Sequence, residues 1–239
     1  MASKIFHLGT SIPSSILNKF DIMHTEVIQI SYQSSMQPED INEFLKHNPI
    51  ILILSKSGIY GFKKWLNRFN INENRFKEYS FWTVGEKTYE CLMEELSISS
   101  QYPKKMTGIA AITNINQLYN RNILLVCGSS IRSDLKSSII ASKMNYYHFP
   151  VYKTELIKNK IFQSSFQNNR NEYIIFTSPS TVDGLIYNLS CDNLELIKSN
   201  LISIGSTTSQ YIKDKQGKIF YESTYPSIIN LYDQLNDLI

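Results

Sequence analysis

An internal duplication constrains this chain more than any local propensity, because a repeat of about 120 residues in a chain of 239 demands two similar folding units. The run Ile5-Phe6-His7-Leu8 ends in Gly9-Thr10-Ser11. The run Ile123-Leu124-Leu125-Val126-Cys127 ends in Gly128-Ser129-Ser130, with the two glycines 119 positions apart. Ile51-Leu52-Ile53-Leu54 leads into Ser55-Lys56-Ser57, and Tyr173-Ile174-Ile175-Phe176-Thr177 leads into Ser178-Pro179-Ser180, an offset of 123. Phe81-Trp82-Thr83-Val84-Gly85 and Leu201-Ile202-Ser203-Ile204-Gly205 agree at 120, and Tyr102-Pro103 and Tyr225-Pro226 at 123. Each unit reads as a short apolar run, a tight Gly/Ser/Thr turn, then an amphipathic helical stretch such as 61–69 or 182–189. Strand and helix in alternation, with runs apolar on both faces, predict parallel sheets covered by helices on both sides. The expected fold is therefore α/β, with two doubly wound, Rossmann-like domains. The extended stretches 27–33 and 147–154 hold equivalent places in the two halves and predict a two-stranded connection between the domains.

Composition removes several function classes. Hydrophobic residues make up 42% and charged residues 19%, which suits a folded globular protein. The longest apolar runs, 50–54 and 123–127, are far below the ~20 residues that span a bilayer. The first residues lack the pattern of a signal peptide, so no membrane association and a cytoplasmic location are expected. Three widely spaced cysteines, Cys91, Cys127 and Cys191, predict reduced thiols. The four histidines, His7, His24, His47 and His148, have no metal-ligand spacing, so no metal is expected. A net charge of +3 with scattered lysines argues against nucleic acid.

The turns carry the chemistry. In a doubly wound fold they lie at the carboxyl ends of the strands and feed helix N-termini, whose free amides and partial positive charge receive anions. Ser55, Ser57, Ser178, Thr207 and Thr208 fit such a role. Taken singly, each is better read as a helix N-cap; their recurrence in both halves shifts the balance toward anion binding, with which capping is compatible. Phosphate-loop, dinucleotide-binding and nucleophile-elbow motifs are missing from the sequence. Glu39-Asp40 and Glu94-Glu95 read as helix-surface residues with no catalytic role.

At these turns the sequence resembles the uroporphyrinogen-III synthase family. Phe176-Thr177-Ser178-Pro179-Ser180-Thr181-Val182 is similar to the family's Phe-Thr-Ser-Pro loop, and Ile204-Gly205-Ser206-Thr207-Thr208 to its Ile-Gly-Pro-Thr-Thr turn. Val151-Tyr152-Lys153-Thr154, the loop from Gly128 through Arg132-Ser133-Asp134-Leu135, and Thr224-Tyr225-Pro226-Ser227 match further landmarks. Leu8-Gly9-Thr10 departs from the family's Thr-Arg-Pro, and Glu86 and Ser206 replace its prolines after Gly85 and Gly205. The resemblance implies one domain from 1–33 plus 153–239 and another from 34–152. It implies a monomer without a cofactor that cyclises hydroxymethylbilane, an octacarboxylate, to uroporphyrinogen III with inversion of ring D, gripping it in an interdomain cleft. Tyr152 is the expected catalytic residue. Thr10, Ser55, Lys56, Ser57, Gly85, Lys87 and Thr88 are the expected substrate-binding residues of the first half. Ser178, Pro179, Ser180, Gly205, Thr207 and Thr208 are those of the second. Two alternatives remain at this point: a catalytically inactive tetrapyrrole- or anion-binding protein on the same scaffold, and a sugar-phosphate or small-anion module.

Overall fold

The computed structural model of the chain describes residues 4–17, 20–119, 122–236 and 238. The chain forms two compact units: a discontinuous one, Met1–Gln29 with Glu155–Ile239, and a central one, Ile30–Thr154. It opens with β1 (Lys4–Leu8), the single turn α1 (Ser14–Leu17) and β2 (Ile22–Thr25). It continues through β3 (Ile28–Ser31), α2 (Pro38–Leu45), β4 (Ile50–Ile53), α3 (Lys56–Arg68), β5 (Phe81–Thr83), α4 (Glu86–Leu96), α5 (Gly108–Tyr119), β6 (Ile123–Gly128), α6 (Ser133–Ala141) and β7 (Tyr146–Leu156). It closes with α7 (Ile161–Ser164), β8 (Glu172–Phe176), α8 (Pro179–Leu189), β9 (Asn200–Ser203), α9 (Ser206–Asp214), β10 (Ile219–Glu222) and α10 (Ile228–Leu235). Among the described residues no helix is long and apolar enough to cross a membrane.

The discontinuous unit holds a parallel sheet in the order β10-β9-β8-β1-β2. The central unit's sheet runs β3-β7-β6-β4-β5, with β7, β6, β4 and β5 paired in parallel. The two sheets are copies: β2-β1-β8-β9 in one corresponds to β7-β6-β4-β5 in the other. Each sheet therefore takes two strands from one half of the chain and three from the other. The strand order reverses between β1 and β8, and between β6 and β4, which are the topological switch points of doubly wound sheets.

Strand register corrects part of the sequence alignment. Leu8 pairs with Phe176 and Val126 with Ile53, so β1 and β6 correspond at an offset of 118, one less than the glycines indicate. Gly9 lies beyond the end of β1, whereas β6 runs on through Gly128. The connecting segments also align differently, with His24-Thr25-Glu26-Val27 matching His148-Phe149-Pro150-Val151 at an offset of 124.

Burial on both faces explains the continuous apolar runs. Every residue of β4 and β6 is buried. Alternate side chains feed opposite layers: Ile51, Ile53, Leu124 and Val126 join Ile59, Phe62 and Leu92 of α3 and α4. Ile50, Leu52, Ile123 and Leu125 join Ala111, Ile112 and Ile139 of α5 and α6. In the discontinuous unit Phe6, Leu8, Ile174 and Phe176 face Val182, Leu185 and Ile212, while Ile5 and Ile175 face Leu231, Tyr232 and Leu235 of α10. The helices start where the sequence marks them. Pro38 stands in the first turn of α2 with Glu39 and Asp40, where a missing N–H is harmless and negative charge meets the positive helix end.

Two helix glycines, also 123 apart, fix how α3 and α8 pack. A Cβ on Gly61 would stand 2.4 Å from the Val151 carbonyl oxygen, and one on Gly184 2.5 Å from Val27 Cγ2. In an unobstructed helix interior alanine is better than glycine by up to about 1 kcal/mol. Here the collision reverses the sign: Gly61→Ala and Gly184→Ala are each expected to destabilise by about 1–3 kcal/mol. Urea unfolding of the two variants checks this, and increased stability in either would contradict the close approach.

Candidate functional site

Strands buried on both faces leave the turns at their carboxyl ends as the place where a ligand can meet the sheet. After β4, Ser55 has extended backbone and caps α3, its hydroxyl accepting from the Gly58 amide at 3.1 Å. The cap satisfies one of the free amides of the helix start and leaves others for a ligand. Lys56, the first residue of α3, is exposed, and Ser57 is half-buried. After β8, Ser178 takes the same place ahead of α8, with Pro179 next. The Ser178 amide donates to Thr181 Oγ1 at 3.3 Å, and its hydroxyl lies 2.9 Å from that of Ser180.

The turns after β5 and β9 repeat one geometry. Gly85 and Gly205, both extended, precede α4 and α9. The Gly85 carbonyl accepts the amides of Thr88 and Tyr89 at 3.1 and 3.0 Å, and the Gly205 carbonyl those of Thr208 and Ser209, both at 3.0 Å. A strand-end hydroxyl adds to each, Thr83 at 3.3 Å and Ser203 at 3.4 Å. Thr88 and Thr208 have buried side chains and amides committed inside the turn. Lys87 and Thr207 are half-buried on the same turns, and Gly85 itself is buried against Met106.

Charge gathers in the central unit. Burial, and then the positive charge of Lys56, holds the Lys87 ammonium below its ordinary pKa. Two cations thus stand at the N-termini of α3 and α4, whose helix ends carry the same sign. An anion placed there relieves the repulsion.

Tyr152 belongs to the same place. Pairing of β7 with β6 slips by one residue between Cys127 and Gly128. The slip sets the Tyr152 ring against Gly128, where a Cβ would lie 3.0 Å from Cε2 and 3.4 Å from the hydroxyl. That hydroxyl is 3.3 Å from Ser55 Oγ, which ties it to the cap of α3. Burial raises the phenol's pKa, and the Ser55 contact opposes the rise; at neutral pH the group keeps its proton and serves as a donor. The central unit therefore brings together Ser55, Lys56, Lys87 and Tyr152. Thr10, exposed beyond β1, and the Ser178 and Gly205 turns belong to the discontinuous unit. A cavity of about 300 Å³ in the central unit, lined by Tyr32, Gly61, Lys64, Trp65, Arg68 and Val151 among others, contains none of the expected site residues. Among the described residues no group of three or more His, Cys, Asp or Glu side chains is arranged to hold a metal ion.

The sequence reading missed three histidines. His24 Nε2 lies 2.9 Å from the Gly9 carbonyl oxygen, and His148 Nε2 lies 2.9 Å from that of Gly128. A carbonyl only accepts, so Nε2 carries the proton in both. The available signal was the repeated His-x-x-Val, which spacing rules for metal sites and helices do not register. His7 is fully buried on β1, with Nδ1 3.0 Å from the Tyr232 hydroxyl. Burial, and then His24, push its pKa down to about 4, against a smaller upward influence of the Ser11 main chain.

A doubly wound α/β protein of two units, each carrying capped, small-residue turns suited to carboxylates, is the class these features define. The family model described as uroporphyrinogen-III synthase HemD matches residues 19–233. The chain belongs to that family, whose members are enzymes of tetrapyrrole biosynthesis. It is 30% identical over 168 residues to the porphyrin biosynthesis protein HemD of Ruminiclostridium josui, a match covering 68% of this chain and 33% of that protein. The matched segment thus spans about a third of the relative's length. In fold it is similar to uroporphyrinogen-III synthetase of Helicobacter pylori, with a TM-score of 0.67 at 16% identity, covering 99% of this chain and 100% of the other. A mutant uroporphyrinogen III synthase of the extremely thermophilic bacterium Thermus thermophilus matches with a TM-score of 0.69 at 10% identity, covering 99% and 98%.

The buried His7 gives folding a pH dependence of defined sign. Its folded pKa of about 4 lies below the ordinary histidine value of 6.5, so between these values the unfolded chain binds the proton more strongly. The contribution of His7 to stability is fully present above pH 6.5 and is lost, up to about 3 kcal/mol, as pH drops through 4. Denaturant titrations at a series of pH values are expected to show this slope in the native chain and its loss in His7→Leu.

Proposed function

We propose that this chain is a uroporphyrinogen-III synthase, which closes hydroxymethylbilane into uroporphyrinogen III with inversion of ring D. Family membership supports the reading. The observation that carries it is the duplicated set of capped turns, one set in each unit, with Lys56 and Lys87 at the starts of α3 and α4 in the central unit, where the charge of one is felt by the other. A linear tetrapyrrole with eight carboxylates needs several separated anion sites, and main-chain amides at helix starts supply them without arginine.

The pyrroles furnish the electrons of the reaction. A pyrrole nitrogen lone pair expels the terminal hydroxyl, which leaves as water once it has gained a proton. The resulting azafulvene carbon is attacked by the substituted carbon of ring D, and the spiro intermediate then fragments. It recloses with that ring inverted and loses a proton. The protein's task is to fix geometry so that the direct closure does not win. Tyr152 donates its hydroxyl hydrogen to the departing oxygen, held in place by Ser55 and by the ring's seat on Gly128. Lys56, Lys87, Ser57, Thr10, Ser180 and Thr207 contact carboxylates, while Gly85, Gly205, Thr88, Thr208, Ser178 and Pro179 hold the turns that present them. In this reading each unit acts as one substrate-holding domain, and the chain works as a cytoplasmic monomer without cofactor or nucleic acid.

Incubation with hydroxymethylbilane, oxidation and chromatographic separation of isomers tests the reading. Isomer III is expected; isomer I alone, at the uncatalysed rate, would reject the enzyme and leave at most a tetrapyrrole-binding protein. Tyr152→Phe is expected to lower kcat roughly 100-fold with unfolding free energy within about 1 kcal/mol of the native chain. Lys56→Ala and Lys87→Ala are expected to raise KM severalfold with little change in kcat; an unaltered KM would remove them from the substrate's contacts.

A further inference from the structure

We propose that His7 is a carboxylate-binding residue of the discontinuous unit, its Nε2 hydrogen-bonding an anionic side arm of the ligand at the Gly9 turn beside the start of α8. This rests on the reading of the turns as carboxylate sites and adds a residue to it that the duplication does not predict.

The first ground is an uncompensated polar atom. His7 is 0% exposed, yet its Nε2 has no hydrogen-bond partner among the described residues. The Ser11 main chain favours the protonated ring without forming a bond of hydrogen-bond geometry. Leaving such a group unsatisfied in the interior is destabilising.

The second ground is an internal control. On β1, His7 pairs with His24 of β2; on β6, Leu125 pairs with His148 of β7. Leu125 thus occupies the matching register position in the other sheet, and it too is 0% exposed. The fold accepts an aliphatic side chain at this place and does not itself call for an imidazole.

The third ground is aim. A Cβ on Gly9 would stand 3.3 Å from His7 Nε2 and 3.0 Å from Thr177 Oγ1, so the ring nitrogen faces the turn at the β1/β8 switch point. Thr177 donates to the Leu8 carbonyl at 2.9 Å, and Ser178 follows as the cap of α8. The ring is held from behind. Tyr232 stacks on it at 5.8 Å between centroids, with its hydroxyl 3.0 Å from Nδ1. When that hydroxyl donates to Nδ1, the ring proton resides on Nε2 and points at the turn. His24, edge-on to His7 at 5.9 Å, anchors the turn through the Gly9 carbonyl.

The test uses the full chain with two probes, propionate and the stable octacarboxylate uroporphyrin I. The His7 ring nitrogens are followed by ¹⁵N NMR, and uroporphyrin binding by fluorescence. His7→Leu borrows the residue of the other sheet, and the double variant with Tyr232→Phe removes the hydroxyl left without a partner. The expected result is a shift of the Nε2 resonance with either probe, and a Kd for uroporphyrin I raised roughly tenfold or more in both variants. The double variant is expected to be at least as stable as the native chain at pH 7, which a merely structural histidine would not allow. An unmoved resonance, or an unchanged Kd in folded variants, overturns the proposal. If the variants fail to fold, the native-chain resonance decides. Isomer III formation with an unmoved His7 leaves the enzyme standing and removes this subsite; a shifted His7 without isomer III keeps the subsite and removes the enzyme.

Discussion

The burial of the central strands on both faces sets the terms for everything else in this protein. With every residue of β4 and β6 enclosed, and only Lys4 and Tyr173 of β1 and β8 less than fully buried, these strands have no free face to offer a ligand. The proposed function places the chemistry in the turns that follow them. Those turns are built alike in both units: an extended serine or glycine ahead of a helix, a carbonyl gathering amides from the next turn, and a strand-end hydroxyl reinforcing it. The result is a hydrogen-bonded main-chain surface whose helix ends carry positive potential, achieved without a cluster of arginines.

Duplication supplies the frame, and the proposed chemistry draws on departures from it. Both sheets carry a histidine that holds the glycine carbonyl at the switch point, and both connecting segments place a valine against a helix glycine. Against that background Tyr152 on Gly128, the Lys56 and Lys87 pair, and His7 in place of an aliphatic residue stand out as features of one unit alone. A residue that breaks the symmetry at a cost in desolvation calls for an explanation that packing does not provide.

Much of this was legible in the sequence, for physical reasons. Apolar runs of four or five residues ending in small-residue turns mark parallel strands buried on both sides, and the serines and glycines that end them are the caps observed at α3, α4, α8 and α9. Glu39 and Asp40 lie in the first turn of α2, as their position after Pro38 indicates. Other features were hidden because they depend on register. Gly9 and Gly128 look equivalent in the alignment, yet one follows its strand and the other lies within it. The contacts of Gly61 with Val151 and of Gly184 with Val27 join residues remote in sequence. The commitment of the Thr88 and Thr208 amides to the Gly85 and Gly205 carbonyls appears only once the turn is folded. The depth of His7 was invisible because nothing in its neighbours distinguishes a buried strand histidine from an exposed one.

The proposed function requires the turns of each unit to receive carboxylates through main-chain donors, and amide-resolved NMR of the intact chain titrated with uroporphyrin I tests this most directly. The account predicts saturable shifts, with one common Kd, at the amides of Lys56, Ser57 and Lys87 in the central unit and of Thr10, Ser180 and Thr207 in the discontinuous unit. Shifts confined to lysine side chains, or to the turns of a single unit, would contradict it.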